Sequence, residues 1–171
     1  MGTGIRIVMI GAVALAASCA SQLALAQSTG SDNGLGATIM LTKKPEEFVR
    51  QWTTSKESDK TTLEVARKVR PGEYIAALVF VRGCRANVDS CAVYVDYELV
   101  APDGSIRYRV PDKSGTSQPG PKSDLYFLSH AIVRFQFKPE DAAGTYTIRA
   151  VVREPARGRV VRIAEQFQVV R

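Results

Sequence analysis

Histidine, methionine and tryptophan are scarce in this chain. It has one His, three Met, three Cys and one Trp in 171 residues, whereas metal sites depend largely on His and Cys ligands. The one candidate base, His130, follows Ser129 directly, and neighbouring residues of a strand point to opposite faces, which separates nucleophile from base. No glycine-rich phosphate motif is present either. We therefore expect a non-enzyme with no catalytic residue, no metal site and no cofactor.

Long hydrophobic runs are also missing, apart from one at the amino terminus. A basic residue, Arg6, precedes an apolar run over residues 7–20, and Ala24-Leu25-Ala26 follows. A basic start, an apolar middle and an A-x-A ending are typical of a secretory signal peptide. The run of about 14 residues is shorter than the ~20 that span a bilayer. We therefore predict a signal peptide over residues 1–26 and export of the remainder.

A second processing site overlaps the first. Residues 16–19 read Ala-Ala-Ser-Cys and resemble a lipoprotein signal, in which the Cys is acylated, although Ala16 stands where Leu is usual. The downstream Ala24-Leu25-Ala26 is the cleaner site. The sequence thus favours a soluble periplasmic protein, with an outer-membrane lipoprotein anchored at Cys19 as the alternative.

The exported part is long enough for one domain and too short for two. Residues 1–26 contain Arg6 and no acidic residue, so cleavage lowers the net charge from +6 to +5. That charge permits binding to anionic lipid or cell-wall polymer without requiring either. Two cysteines, Cys84 and Cys91, remain after cleavage, and in an exported protein we expect them to form a disulfide across a short loop.

Period-two alternation dominates the exported part and predicts an all-β antiparallel sandwich of seven to eight strands with one short helix. Residues 27–36 are rich in Gly, Ser and Asn and are expected to be a flexible lead-in to a domain over 37–171. The expected strands include an edge strand over 37–42, a strand over 61–69 with Leu63 and Val65 inward, and a fully covered central strand over 74–82. Pro45, Glu46 and Glu47 favour a helix start. Phe48 and Trp52 would then share one helix face and close an end of the sandwich, Trp52 as a buried plug rather than a ligand platform.

One corner of the chain carries a specific pattern. Alternating strands over 133–138 and 146–153 flank a Pro-Glu-Asp-Ala-Ala-Gly break, and Tyr146 follows it closely. Asp141, Gly144 and Tyr146 resemble the tyrosine corner of immunoglobulin-like sandwiches, in which a Tyr after an acidic turn hydrogen-bonds to the backbone. The resemblance implies an immunoglobulin-like fold. Ile148 occupies the position of the antibody Cys, so the resemblance implies no inter-sheet disulfide.

Two segments are candidates for binding a partner. The polar stretch over 111–124 is the longest break in the domain, and an apolar cluster follows it, formed by Leu125, Tyr126, Phe127 and Leu128. Burial of that cluster is the more common outcome; exposure would make it a partner contact. The second candidate is a basic group that could bind anions, made of Arg149, Arg153, Arg157, Arg159 and Arg162. Its simpler explanation is a charged outer face that keeps a sheet soluble.

These patterns favour an exported bacterial protein that binds another envelope protein without catalysis. The expected contact is an edge strand or the segment over 111–128. The alternative is a lipid-anchored or anionic-polymer-binding envelope protein that uses the arginines around the last hairpin. Nucleic acid is not expected as a partner.

Overall fold

Alternating apolar residues organise the chain into two β-sheets. The structure is a computed structural model, and it describes residues 28–54, 64–84, 92–115 and 127–171. Its elements are β1 (Thr29–Asp32), β2 (Leu35–Thr42), α1 (Pro45–Thr54), β3 (Lys68–Val69), β4 (Tyr74–Arg82), β5 (Tyr94–Val100), β6 (Ile106–Ser114), β7 (Phe127–Leu128), β8 (Val133–Gln136), β9 (Gly144–Glu154) and β10 (Arg159–Val169). The predicted all-β class with one short helix is confirmed.

The first sheet has the order β1-β2-β4, and β7 and β8 both pair with the far side of β4. The second sheet has the order β3-β10-β9-β5-β6. All pairings are antiparallel except that of β3 with β10. The inward residues of both sheets form one core, which includes Val79, Tyr97, Phe137, Tyr146 and Phe167.

Strand β4 is covered on both faces, as its continuous apolar run predicts. Its inward residues join the main core, while Leu78 and Phe80 point away from the second sheet. Helix α1 covers these two side chains with Phe48 and Trp52, whose rings lie 5.7 and 5.5 Å from that of Phe80. The expected helix is therefore present, but it lies on the outer face of the first sheet and not at an end of the sandwich. Trp52 is half-buried in this cluster.

The first hairpin corrects the predicted lead-in. Residues 29–36 pair as β1 and the start of β2 around a turn at Asn33 and Gly34, which have φ of 45° and 84°. Asn-Gly with two positive φ angles suits a two-residue hairpin turn. Strand β2 is consequently flanked on both sides and is not an edge strand.

Strand β1 packs against the second sheet and closes that side of the sandwich. Asp32 Oδ2 accepts a hydrogen bond of 2.8 Å from the Val160 amide. A Cβ on Gly30 would lie 3.0 Å from the carbonyl oxygen of Arg162, so the two backbones approach closely here because Gly30 has no side chain.

The expected strand over 61–69 is reduced to Lys68–Val69. The Ala66 amide donates to Leu41 O in the first sheet, and one residue later Arg67 O accepts from Gln168 in the second sheet. The segment thus crosses between sheets, and alternation cannot persist across such a crossing. The prediction that Val65 points inward is wrong, since its side chain is 44% exposed; Leu63 lies outside the described residues.

Candidate functional site: the outer face of the second sheet

The predicted corner forms around Asp141, which is buried. Its Oδ2 accepts a hydrogen bond of 2.8 Å from the Lys138 amide, and its Oδ1 pairs with Arg107 Nη2 of β6. Tyr146 is fully buried, and its hydroxyl lies 3.5 Å from Arg107 Nη1. In the described chain this hydroxyl therefore bonds to a guanidinium and not to the backbone, which differs from the expected tyrosine-corner bond.

A β-bulge directs Arg107 to this corner. The pairing of β5 with β6 shifts register between Leu99 and Val100, because Arg107 is an extra residue between Tyr108 and Ile106. A bulge re-aims side chains and bends its strand. Burial opposes the charged form of Arg107, but the hydrogen bond and ion pair with Asp141 outweigh it and raise the pKa of the guanidinium. The corner is thus a structural link between β6 and the β8–β9 turn.

On the other side of the second sheet, the outward residues form a surface that we term the outer face. Alternate burial along β9 and β10 and the cross-strand register identify its members. They include Arg109 on β6; Asp96 and Glu98 on β5; Thr147, Arg149, Val151 and Arg153 on β9; and Val160, Arg162 and Ala164 on β10. Tyr94 and Ile106, 38% and 39% exposed, lie at its margins.

The outer face carries charges in columns of one sign. Glu98 on β5 lies between Arg109 and Arg149, with N–O distances of 3.1 and 3.8 Å. Asp96, also on β5, pairs with Arg153 at 2.9 Å. The two carboxylates of β5 thus have Arg109 on one side and Arg149 and Arg153 on the other, as expected for cross-strand pairs of opposite charge.

The five arginines predicted as an anion-binding group are not all on this face. Arg149, Arg153 and Arg162 lie on it. Arg157 is in the turn before β10, with Nη1 3.6 Å from Glu154 Oε1. Of the two arginines on β10, the register places Arg162 on the outer face, since Arg159 points inward and is buried.

The contacts of Arg159 indicate a structural role for this residue. Its Nε pairs with the buried Glu154, and its two terminal nitrogens donate to Asn33 O at 3.1 Å and Gly83 O at 3.2 Å. The Sγ of Cys84 lies 3.5 Å from Glu154 Oε1. Its predicted disulfide partner, Cys91, lies outside the described residues, and so does Cys19. The disulfide and the lipidation therefore stay predictions.

The apolar cluster predicted as a partner contact is described only in part. Leu125 and Tyr126 lie outside the described residues, and Phe127 pairs through its backbone with Val81. Leu128 is 7% exposed and packs with the helix cluster of Phe48 and Phe80. Leu128 therefore follows the burial alternative and is not a surface contact.

Ser129 and His130 lie between β7 and β8 and not on a strand, so the predicted strand alternation does not apply to them. Ser129 is fully buried and its Oγ accepts a hydrogen bond of 3.1 Å from the Ala131 amide, while His130 is exposed. Nearby, burial raises the pKa of Tyr97, whose hydroxyl donates to Ala131 O. Within the described ranges, no group of three or more His, Cys, Asp or Glu side chains could hold a metal ion, and no helix is long and apolar enough to span a membrane.

Sequence reasoning missed the two carboxylates that divide the arginines, Asp96 and Glu98. Both alternate with apolar residues in β5, so the sequence predicts that they point outward. It does not predict that they lie beside β9. Where neighbouring strands are far apart in sequence, as β5 and β9 are, sequence order does not give strand neighbours. The pairing of β5 with β9 is supplied by the fold alone.

Comparisons with known proteins give no family for this chain. No family model and no curated protein matches it. Among solved structures, it is similar to a Niemann-Pick type C2 protein from Japanese carpenter ant, with 13% identity and a TM-score of 0.40 over 85% of this chain and 95% of that one.

Two further solved structures are enzymes. One is the Pseudomonas fluorescens alkylpurine DNA glycosylase AlkC bound to DNA containing an abasic site analog, with 12% identity and a TM-score of 0.41 over 61% of this chain and 28% of that one. The other is a family 123 glycoside hydrolase from Clostridium perfringens, with 8% identity and a TM-score of 0.43 over 80% of this chain and 27% of that one. At such scores these similarities carry no argument about fold or function.

Proposed function

We propose that this chain is an exported, non-catalytic module of the cell envelope that binds another protein through the outer face of its second sheet. The observation that carries the proposal is an asymmetry between the sheets. Helix α1 packs on the outside of the first sheet, whereas none of the described elements packs on the outside of the second. A sandwich of two sheets needs only one buried face of each, so among the described elements the outside of the second sheet is left for a partner.

The composition of the outer face supports this use. Arginine and tyrosine are enriched in protein–protein interfaces. Here the half-buried Val151, Val160 and Ala164 alternate across β9 and β10 with the arginines of the same face. Tyr94 and Ile106 add exposed apolar surface at the margin.

The edge strand β6 is a weaker candidate for the contact. Strand β6 is paired on one side only, but it has two bulges, at Arg107 and at Pro111–Asp112. Bulges, proline and basic residues are the devices by which proteins prevent strand addition at an edge. Only Tyr108 to Val110 keeps regular pairing between the bulges, which is too short a template for an added strand.

The finer assignment to immunoglobulin-like modules belongs to the same proposal. Its support is the two-sheet arrangement and the corner in which Asp141 binds the Lys138 amide shortly before the buried Tyr146. Export and a periplasmic location rest on the signal-like residues 1–26, which lie outside the described residues. Binding of anionic lipid or cell-wall polymer is the second candidate, and Asp96 and Glu98 on the outer face argue against it.

Site-specific crosslinking in cells tests the proposal. A photo-crosslinking amino acid at Ala164, on the outer face, should give one product of defined mass with another envelope protein after a high-salt wash. The matched control carries the same group at Thr53, an exposed residue of α1 on the opposite side of the molecule, and should give none. Equal products from both positions, or none from Ala164, would contradict the proposal.

A further inference from the structure

The two halves of the outer face differ in net charge. On the β5 side, Asp96 and Glu98 offset the neighbouring arginines. On the β10 side, Arg162 lies opposite Val151, is exposed, and has no carboxylate within 4.0 Å among the described residues. A positive excess therefore lies over β9 and β10 and not over the whole sheet.

Three guanidinium groups define this excess. Arg149 and Arg153 are four residues apart on β9, so their Cα atoms are about 13 Å apart along the strand. Arg162 pairs in register with Val151, midway between them, and its diagonal neighbours on β9 are these same two arginines. Arg149 and Arg153 each use a carboxylate of β5, on the side away from Arg162. We refer to Arg149, Arg153 and Arg162 as the arginine triad.

From this arrangement we infer that the arginine triad binds a cluster of acidic side chains on the partner protein, with Arg162 as the central contact. The inference rests on the proposed function and adds the chemistry of the partner. Guanidinium groups form bidentate hydrogen bonds to carboxylates, which favours them for such contacts. Complementary charge across an interface sets specificity and association rate more than total affinity.

The mixed charges of the outer face favour a protein over a bilayer or polymer. A uniformly anionic surface laid across the face would meet Asp96 and Glu98 on β5 as well as the triad, and like charges repel. A partner with acidic residues in one place can contact β9 and β10 alone. A second copy that bound face to face would need an acidic cluster on its own outer face, and the described outer face offers only those two carboxylates, both already paired.

The test combines crosslinking at Ala164 with charge reversal in the full-length chain. We expect Arg162→Glu to lower the yield of the product at least about five-fold, because reversal replaces attraction with repulsion. Lys138→Glu makes the same change in net charge at an exposed residue away from the face and should leave the yield unchanged. Exchange of an acidic residue at the crosslinked site of the partner for Arg should restore binding to the Arg162→Glu variant.

Each other outcome is informative. Without any product from the unreversed chain, the proposed function fails. Equal yields of the product from the parent and both reversed variants would keep the protein partner but show that the triad does not contact it. An equal loss of yield in both variants would also exclude the triad as the contact. A product made of two copies of this chain overturns the acidic partner. Flotation of the chain with phosphatidylglycerol vesicles, abolished by Arg162→Glu, would assign the triad to a membrane and also overturn it.

Discussion

Arg159 is buried against Glu154 at the point where three turns of the sandwich meet. The guanidinium joins the carboxylate of β9 to carbonyl oxygens of the β1–β2 turn and of Gly83 after β4. The exposed fractions of the two side chains are 8% and 6%. One arginine therefore holds together the ends of both sheets, because each of its nitrogens donates to a different element.

Replacement of Arg159 should be strongly destabilising. We expect Arg159→Ala to lower the free energy of unfolding by about 3–5 kcal/mol, since among the described residues it leaves the buried Glu154 with only the partly exposed Arg157, at 3.6 Å, as a positively charged partner. The carbonyl groups of Asn33 and Gly83 lose their donors as well. Urea unfolding at neutral pH, followed by the fluorescence of Trp52, measures the change.

Two variants control this experiment. Arg162→Ala removes an exposed arginine from the same strand and should change the free energy of unfolding by less than about 0.5 kcal/mol. Addition of Glu154→Gln to Arg159→Ala should recover part of the loss, because a buried amide costs less than a buried carboxylate. Equal stability of Arg159→Ala and Arg162→Ala would show that the buried pair contributes nothing.

Gly83 and Gly72 allow backbone strain to be separated from a steric clash. Both have positive φ, 70° and 88°. A Cβ on Gly83 would lie 1.7 Å from Gly34 O, whereas a Cβ on Gly72 would have no atom within 4 Å. The two glycines therefore share a left-handed backbone conformation and differ in the atoms around them.

Gly72→Ala should therefore cost about 1–2 kcal/mol, the strain of a left-handed conformation. Gly83→Ala should cost that strain plus at least about 1–3 kcal/mol for the forced shift of the β1–β2 turn. Thermal unfolding of the two variants beside the parent provides the comparison. Similar losses in both would mean that the β1–β2 turn moves aside without cost.

The sequence predicts the elements well where one rule determines them. Unbroken apolar residues identify β4 as a covered strand, and alternation around Asp141 and Gly144 identifies β8 and β9. Asn33-Gly34 was also a readable hairpin signal, but the polar residues around it favoured a flexible lead-in. The hairpin forms because Asp32 and Gly30 contact β10, which is distant in sequence.

Residues whose role depends on distant partners were beyond sequence reasoning. Arg159 and Arg162 look equivalent in a basic segment, and only the register shows that one is inward and the other outward. Helix α1 was expected from Pro45 and Glu46, but its place on the first sheet depends on Leu78 and Phe80 of β4. The candidate site depends on the adjacency of β5 and β9, which no local pattern encodes.

Reduction of the predicted disulfide should lower stability moderately. Closing the short loop between Cys84 and Cys91 contributes about 2–3 kcal/mol in the chain-entropy model. Thermal unfolding with and without a reducing agent measures the effect, and Cys84→Ser with Cys91→Ser is the control, because this variant should no longer respond to the agent. An unchanged melting temperature in the parent would show that no such bridge forms or that it does not matter.

Glu165 should make the protein less stable as the pH rises through the carboxylate range. Burial raises the pKa of its carboxyl group, and the charge of Arg67 and a hydrogen bond with Ser28 offset this only in part. The folded state then holds this proton more tightly than the unfolded state, so stability is lost as pH rises from the ordinary carboxyl pKa through the raised one. Glu165→Gln removes this loss of stability, so its melting temperature should increase relative to that of the parent between pH 4 and pH 7.

Glu73 provides a control of opposite sign. Hydrogen bonds from Lys43 Nζ and the Arg70 amide lower the pKa of its carboxyl group. Its stabilising contribution is present above the ordinary carboxyl pKa and is lost as pH falls through the lowered one. As the pH rises toward neutral, the melting temperature of Glu73→Gln should therefore decrease relative to that of the parent, whereas that of Glu165→Gln should increase. The melting temperature of each variant minus that of the parent is followed against pH. A slope of the same sign for both variants would refute the assignment of opposite environments to these two carboxylates.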